Sequence, residues 1–443
     1  MMSWMSRVLA AFVLAAFPEM LHAQIVIEHP FEVGEPSEAV AAITASCACD
    51  WGVLGREAAS LKLSIDGEYS QHLLLVRGDA PAEYRVLLGA VSAGEHTLGI
   101  EWDKARSATR TGETRIGEIE IHLFRPNDPE YAWLSRAPIL HARPGTVEKF
   151  SDVPLMMYVE AAREARGYDY TVIFSHEDGG TPTDRLMATW GRTTDIELVY
   201  RFSRASEESV LEEAYQGVDH EIRPFRGPRS GDHPLLWVST TNNMVSDSGP
   251  EHVVRFAPAP VFVTLDRVSR EKVMDDNPWL YAVTSAEMSR EKRIDARAKP
   301  GTGKIPDPRR FAVIEACGEL ENATLAFDLA TGRSGEETRW YPSDRGDARF
   351  RIARSGCFRA ALPLPEASTS GSITGIRARA YTRPPREDEA PLPPGSGRVT
   401  LQSVNAVFML DEAFNPSPSA LRWSGTLELT GETPAVLVPT DGR

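Results

Sequence analysis

The sequence predicts an all-β protein built from several sandwiches in a row. Three observations lead there. Apolar and polar residues alternate in run after run, broken by Gly, Asn or Asp, which is the rhythm of sandwich strands. These runs follow one another without the regular helices that βαβ units require. A Pro-rich joint at 125–129 and a Lys/Arg/Pro/Gly stretch at 290–310 divide the chain. With 443 residues, the chain has room for two to four domains of about 100–200 residues each. The expected organisation is a signal peptide (1–23), an N-terminal jelly-roll-like module (24–125), a central sandwich with one or two short helices (130–290), a linker (291–310) and a C-terminal β-sandwich (311–443).

Lys and Arg number 48 against 63 Asp and Glu, a net charge of −15. That balance excludes nucleic acid or an anionic membrane as a partner held by bulk charge. Residues 1–23 read as a secretory signal: Arg7, the apolar run Val8–Phe17, a polar break at Pro18-Glu19, then Leu21-His22-Ala23. The apolar run is too short to span a bilayer, and no later segment reads as transmembrane. An exported, periplasmic or secreted protein is therefore expected. Export makes Cys317 and Cys357 plausible disulfide partners. Cys47 and Cys49 are either bonded to each other or separately buried.

In the first module, Leu61–Val76 alternates around the turn Asp66-Gly67, and Tyr84–Asp103 reads as two strands joined at Ala93-Gly94-Glu95. AGEHTLGIEWD is similar to a strand pair of carbohydrate-binding modules. The central strands are expected at 138–143, 154–161, 169–176, 194–202 and 233–240. One helix is expected at Ser206–Tyr215, with Ser206 as N-cap and acids in its first turn. The C-terminal strands are FAVIEACGEL, ATLAFDLA, RFRIAR, ITGIRARAYTR, RVTLQSVNAVFMLD and LRWSGTLELT, with a long loop at 382–398.

No GxSxG elbow, P-loop, GxGxxG, HExxH or EF-hand run is present. The densest polar stretch is Ser175–Phe202. Asp195 and Glu197 lie two apart in a strand, so their side chains share a face. Asp184 precedes them across a stretch read as a loop, and three carboxylates suit a hard cation such as Ca²⁺ or Mg²⁺. His176, Glu177 and Asp178 end the preceding strand and are expected to line the same pocket. A plain structural reading stands beside this one: a solvated acidic face neutralised by Arg192 or Arg185, and a simple turn at HEDGG. His233, Asn242 and Asn243 form a second candidate wall. Asn277-Pro278-Trp279 is expected to pack an aromatic at a domain joint. His72, His96, His122 and His141 are expected to be structural.

The spacing Asp184 … Gly191-Arg192-x-x-Asp195-x-Glu197 resembles the core of the necrosis-inducing-protein family, secreted β-sandwiches with the heptapeptide Gly-His-Arg-His-Asp-Trp-Glu. Gly191, Asp195 and Glu197 match its Gly, Asp and Glu, and Asp184 matches an Asp seven residues before the Gly. The segments Ala137–Leu155 and Asp232–Gly249 look like patterns of the vacuolar-sorting-associated family, a similar sandwich. The resemblance implies that Asp184, Asp195 and Glu197 bind a divalent cation on a sandwich rim. The family's first His, a ligand, is Arg192 here, and a guanidinium has no lone pair to offer a metal. The expected function is that of an exported binding protein with a cation-held or Arg-compensated carboxylate site, meeting a glycan or cell-surface component. The rivals are a polysaccharide- or glycolipid-acting hydrolase and a structural envelope component.

Overall fold

The computed structural model describes residues 26–162, 166–204, 211–251, 253–332, 338–386, 389–431 and 434–439. The expected signal peptide lies outside them. Strands make up 46% of the described residues and helix 12%, and the strands form three pairs of sheets, the expected all-β, multi-sandwich fold.

The N-terminal sandwich opposes a sheet in the order Val26–Val33, Gly94–Trp102, Ser60–Ile65, Glu68–Leu74 to a sheet of Ala82–Val91, Ser37–Cys47 and Thr114–Phe124. The Asp66-Gly67 hairpin forms as read. Ala82–Val91 and Gly94–Trp102 are both strands, but they join different sheets instead of pairing: the short turn carries the chain from one layer to the other.

The central region has a six-stranded sheet, in the order Ile222–Pro224, Glu212–Gln216, Asp195–Arg204, Arg166–Phe174, Pro154–Ala161, Val261–Phe262. It faces a smaller sheet centred on His233–Val238 and Ile139–His141, a parallel pair. Residues 206–210 of the expected helix lie outside the described residues, and its remainder is strand Glu212–Gln216. Tertiary context decides this. Tyr215 packs into the sandwich core, and pairing with Asp195–Arg204 outweighs the weak helical preference of the acids.

The C-terminal sandwich pairs Gly356–Pro363, Phe311–Glu321, Arg398–Phe408 and Trp423–Thr430 against Arg339–Pro342, Ala323–Thr331, Ile373–Thr382 and Val436–Leu437. Strand Gly356–Pro363 escaped the sequence reading. RFRIAR is not a strand but a 3₁₀ turn with a single bridge, Ile352 to Leu325. Cys317 and Cys357 stand opposite each other in register and are bonded, and Cys47 is bonded to Cys49.

Five short helices lie among the described residues: α1 (Tyr131–Leu134), α2 (Thr146–Lys149), α3 (Thr183–Trp190), α4 (Lys272–Asp275) and α5 (Trp279–Arg290). Together they fill the joints between sandwiches. Trp279 packs against both the N-terminal core and the central–C-terminal cluster, as DDNPWLY suggested. Residues 291–310 are no free linker. Ile294 bridges Ile305, and the fully buried Ile305 packs with Val313 and Met274. The N-terminal module is joined as closely: His233 Nε2 meets Glu38 Oε2 at 3.1 Å, both buried.

At the central–C-terminal joint, fully buried Arg359 bonds Asp275 through two nitrogens (3.0 and 2.6 Å), Glu315 (2.8 Å from Nε) and the Tyr281 hydroxyl (2.9 Å). Removing the guanidinium would take the cation from two acids, leaving Glu315 only the Ser269 amide and Asp275 only the Tyr281 hydroxyl as donors. Arg359→Leu is therefore expected to cost about 3–5 kcal/mol in chemical denaturation. A loss below about 1 kcal/mol, the worth of an exposed pair, would show that the joint does not depend on this residue.

Candidate functional site

The strand ends of the six-stranded sheet and the loop 239–243 meet at one end of the central sandwich. Strand alternation gives Ile196 to the apolar cluster beneath the C-terminal sandwich, so Asp195 and Glu197 face the other way. A bulge opposite Tyr170–Thr171 then breaks the alternation, and Val199 and Tyr200 both enter the sandwich core. Leu198, before the bulge, keeps Ile196's face as a regular strand requires, and Tyr200, beyond it, does not.

Both acids are buried rather than solvated. The Asp195 carboxylate acts on Glu197 through its charge. Asp195 Oδ2 accepts from Asn243 Nδ2 (3.0 Å), and Glu197 Oε2 accepts from Gln216 Nε2 (2.6 Å). Exposed His220 stands 3.7 Å from Glu197 at the rim. Asn243 also donates to the His176 carbonyl (3.0 Å), while its own buried Oδ1 has no partner. Glu177 closes the set. Its Oε1 accepts from Thr181 N (2.7 Å). Gly180 leaves the room for this: at φ +95°, a Cβ there would lie 2.0 Å from Glu177 Oε1 and 2.3 Å from Asn242 Oδ1. The turn chemistry of HEDGG thus serves to bring Glu177 beside Asn242.

Burial, reinforced by Asp195's charge, pushes Glu197 up to about 8 and Glu177 up to about 7. Glu197 therefore carries its proton at neutral pH.

Asp184 takes no part. It lies on α3, not in a loop, and its Oδ2 accepts from the backbone of Gly301 (2.7 Å) and Gly303 (3.3 Å). Arg192 is buried and pairs with Glu271 (3.2 Å), which four arginines, Arg192 foremost, hold down at about 2 against the cost of burial. Arg192 also donates to the Thr194 carbonyl, one residue before Asp195. His233, bound to Glu38 and to the Ala137 carbonyl, belongs to the N-terminal joint and not to this pocket. Among the described residues, no group of three or more His, Cys, Asp or Glu is arranged to hold a metal ion.

The turn after His176 divides its neighbours between two faces. Asp178 points away from Glu177 and accepts from Ser151 (2.7 Å) and Arg143 (3.2 Å). Arg143 also reaches Asp152 (2.7 Å), whose carboxyl burial and the Asp178 charge raise to about 9. His176 lies between the faces, fully buried. Nδ1 donates to the Thr193 carbonyl, Nε2 has no partner, and burial lowers the ring to about 4. Asp178 and Ser151 open onto a cleft of about 930 Å³ beneath Arg290 and Glu291. Sequence reading missed Arg143, Ser151 and Asp152. All three lie within Ala137–Leu155, the segment singled out by resemblance, and nothing in their spacing marked them as neighbours of Asp178.

The sequence matches no protein-family model and no curated protein at a significant level. The chemistry of the site must be argued from its own residues.

Because Glu197 rises from 4.5 to about 8, the folded chain holds a proton that the unfolded chain has already released at neutral pH. Its contribution is fullest below the unfolded value and declines as pH climbs toward the folded one. Neutral Glu197→Gln lacks this penalty. Relative to the parent protein, its melting temperature is expected to gain as pH rises from about 5 to about 9. Parallel pH profiles for the two proteins would refute the assignment.

Proposed function

We propose that the chain is an exported binding protein whose central sandwich takes up a hard divalent cation, Ca²⁺ or Mg²⁺, at Asp195 and Glu197. One observation carries this reading: two buried carboxyls on one strand face lie beside a buried amide, Asn243, whose Oδ1 no donor meets. An ion displaces the Glu197 proton and uses that oxygen, with Glu177 and Asn242 at hand and water completing the roughly six to eight oxygens that Ca²⁺ prefers. This set replaces Asp184, whose oxygens are occupied by backbone donors. The polar rim of Gln216, Asn242 and His220 suits a glycan or cell-surface component as the partner approached through the ion. The hydrolase reading has less behind it, because adjacent carboxyls on one strand face share one role more readily than they flank a glycosidic bond.

Calorimetry with CaCl₂ and with MgCl₂ tests the proposal. Because binding expels a proton, affinity is expected to rise from about pH 6 to about pH 8. Asp195→Asn is expected to give no heat. Absence of heat and of a thermal shift in the parent protein at both pH values would overturn it.

A further inference from the structure

A cleft of about 760 Å³ opens where the central and C-terminal sandwiches meet, on the far side of Glu271. Arg267, Arg270 and Arg354 line it. Arg354 is fixed, donating to the Thr189 carbonyl (2.6 Å) and lying over the Trp190 ring at 4.6 Å. Arg270 comes no closer than 3.9 Å to Glu271, beyond hydrogen-bond length, and Glu271 is already engaged by Arg192 at 3.2 Å. Arg267 makes no side-chain hydrogen bond or ion pair among the described residues. Its exposed position is fixed through the backbone, where its carbonyl accepts from Asn405 (2.8 Å). Two guanidinium groups thus face the cleft with donors to spare. The acids on the lining are Glu160, Asp266 and Glu271. Crowding among cations is evident in Arg354, which burial, aided by Arg270 and Arg192, lowers to about 10.

The lining also has an apolar part, Phe262, Val263 and Leu265. Phe262 remains 43% exposed although Trp133 supports it at a ring distance of 5.1 Å. A seated aromatic and open guanidinium groups lining one cleft of ligand size suit a molecule with an anionic end and a less polar body. In a chain of net charge −15, so local a cluster of unfilled cationic donors is not explained by solubility.

We propose that this cleft binds an organic carboxylate, its carboxyl held by Arg270 and Arg267 and its body lying against Phe262 and Leu265. Neither Asp195 nor Glu197 lines the cleft, although the charges of both reach Arg270; the proposal does not depend on the cation reading. A planar carboxylate matches the guanidinium fork through paired hydrogen bonds. Two sources share this chemistry, acidic sugars and amphiphilic acids.

The test uses the full chain and two matched pairs of probes in calorimetry: trigalacturonate with its methyl ester, and decanoate with decanol. At least one carboxylate is expected to bind, at least tenfold more tightly than its neutral partner. Arg270→Gln, checked for an unchanged melting temperature, is expected to weaken it at least tenfold, and exposed Arg297→Gln to leave it unaltered. Binding of trigalacturonate alone assigns the cleft to acidic sugars, and binding of decanoate alone to amphiphiles. If Arg270→Gln fails to fold, Arg267→Gln supplies the same comparison. Binding of neither carboxylate, equal binding of the neutral partners, or parent-like affinity in the folded arginine variant would overturn the proposal.

Discussion

The fully buried guanidinium of Arg359 sets the geometry of much of this molecule. It extends from a C-terminal strand to Asp275 at the end of α4, to Glu315 on the neighbouring strand and to Tyr281 on α5. An ion of this kind is tolerated out of water only when its donors are met, and here named oxygens meet it on several sides. The helices it holds carry Glu271 immediately before α4. Glu271 engages Arg192, and Arg192 holds the Thr194 carbonyl beside the acidic strand. A line of charge-assisted contacts therefore runs from the C-terminal sandwich to Asp195.

Most strands were legible in the sequence because a two-residue period survives wherever one face is buried. Pro154–Ala161 was read with its observed limits, and the Cys317–Cys357 pair follows from cross-strand register. What was not legible depended on distant partners. α3 was read as a loop because its eight residues include Thr183, Asp184, Thr189 and Trp190, weak helix formers. Its packing on strand Gly356–Pro363 supplies what propensity lacks. Gly191, matched by resemblance to a family motif, has a direct role here: at φ +65° it ends α3, and a Cβ would lie 3.1 Å from Val313. Asp184 was drawn toward Asp195 on spacing alone, whereas two glycines more than a hundred residues later claim it.

The candidate site was half legible. Asp195, Glu197, Glu177 and Asn243 do assemble, and their shared face was derivable from strand geometry. That this face would point inward was not, because the outward face is covered by a domain lying beyond residue 310 in the sequence. Burial then changes the chemistry. A solvated acidic face would be fully ionised, but an enclosed Glu197 keeps its proton up to about pH 8 unless a positive charge takes its place. Such arrangements cost stability, and cost of this kind is where a functional purpose is most often found.

The strap between Glu291 and Arg310 has a further consequence. Its Ile294–Ile305 bridge, the capping of Asp184 by Gly301 and Gly303, and the packing of Ile305 make it part of both bodies that it connects. A peptide bond cut within its exposed tip would therefore not separate the halves. The nicked protein would migrate as one species until denatured, and either half made alone would present a raw, self-adhesive apolar face. As a unit of inheritance, the central and C-terminal sandwiches would have to be shuffled together.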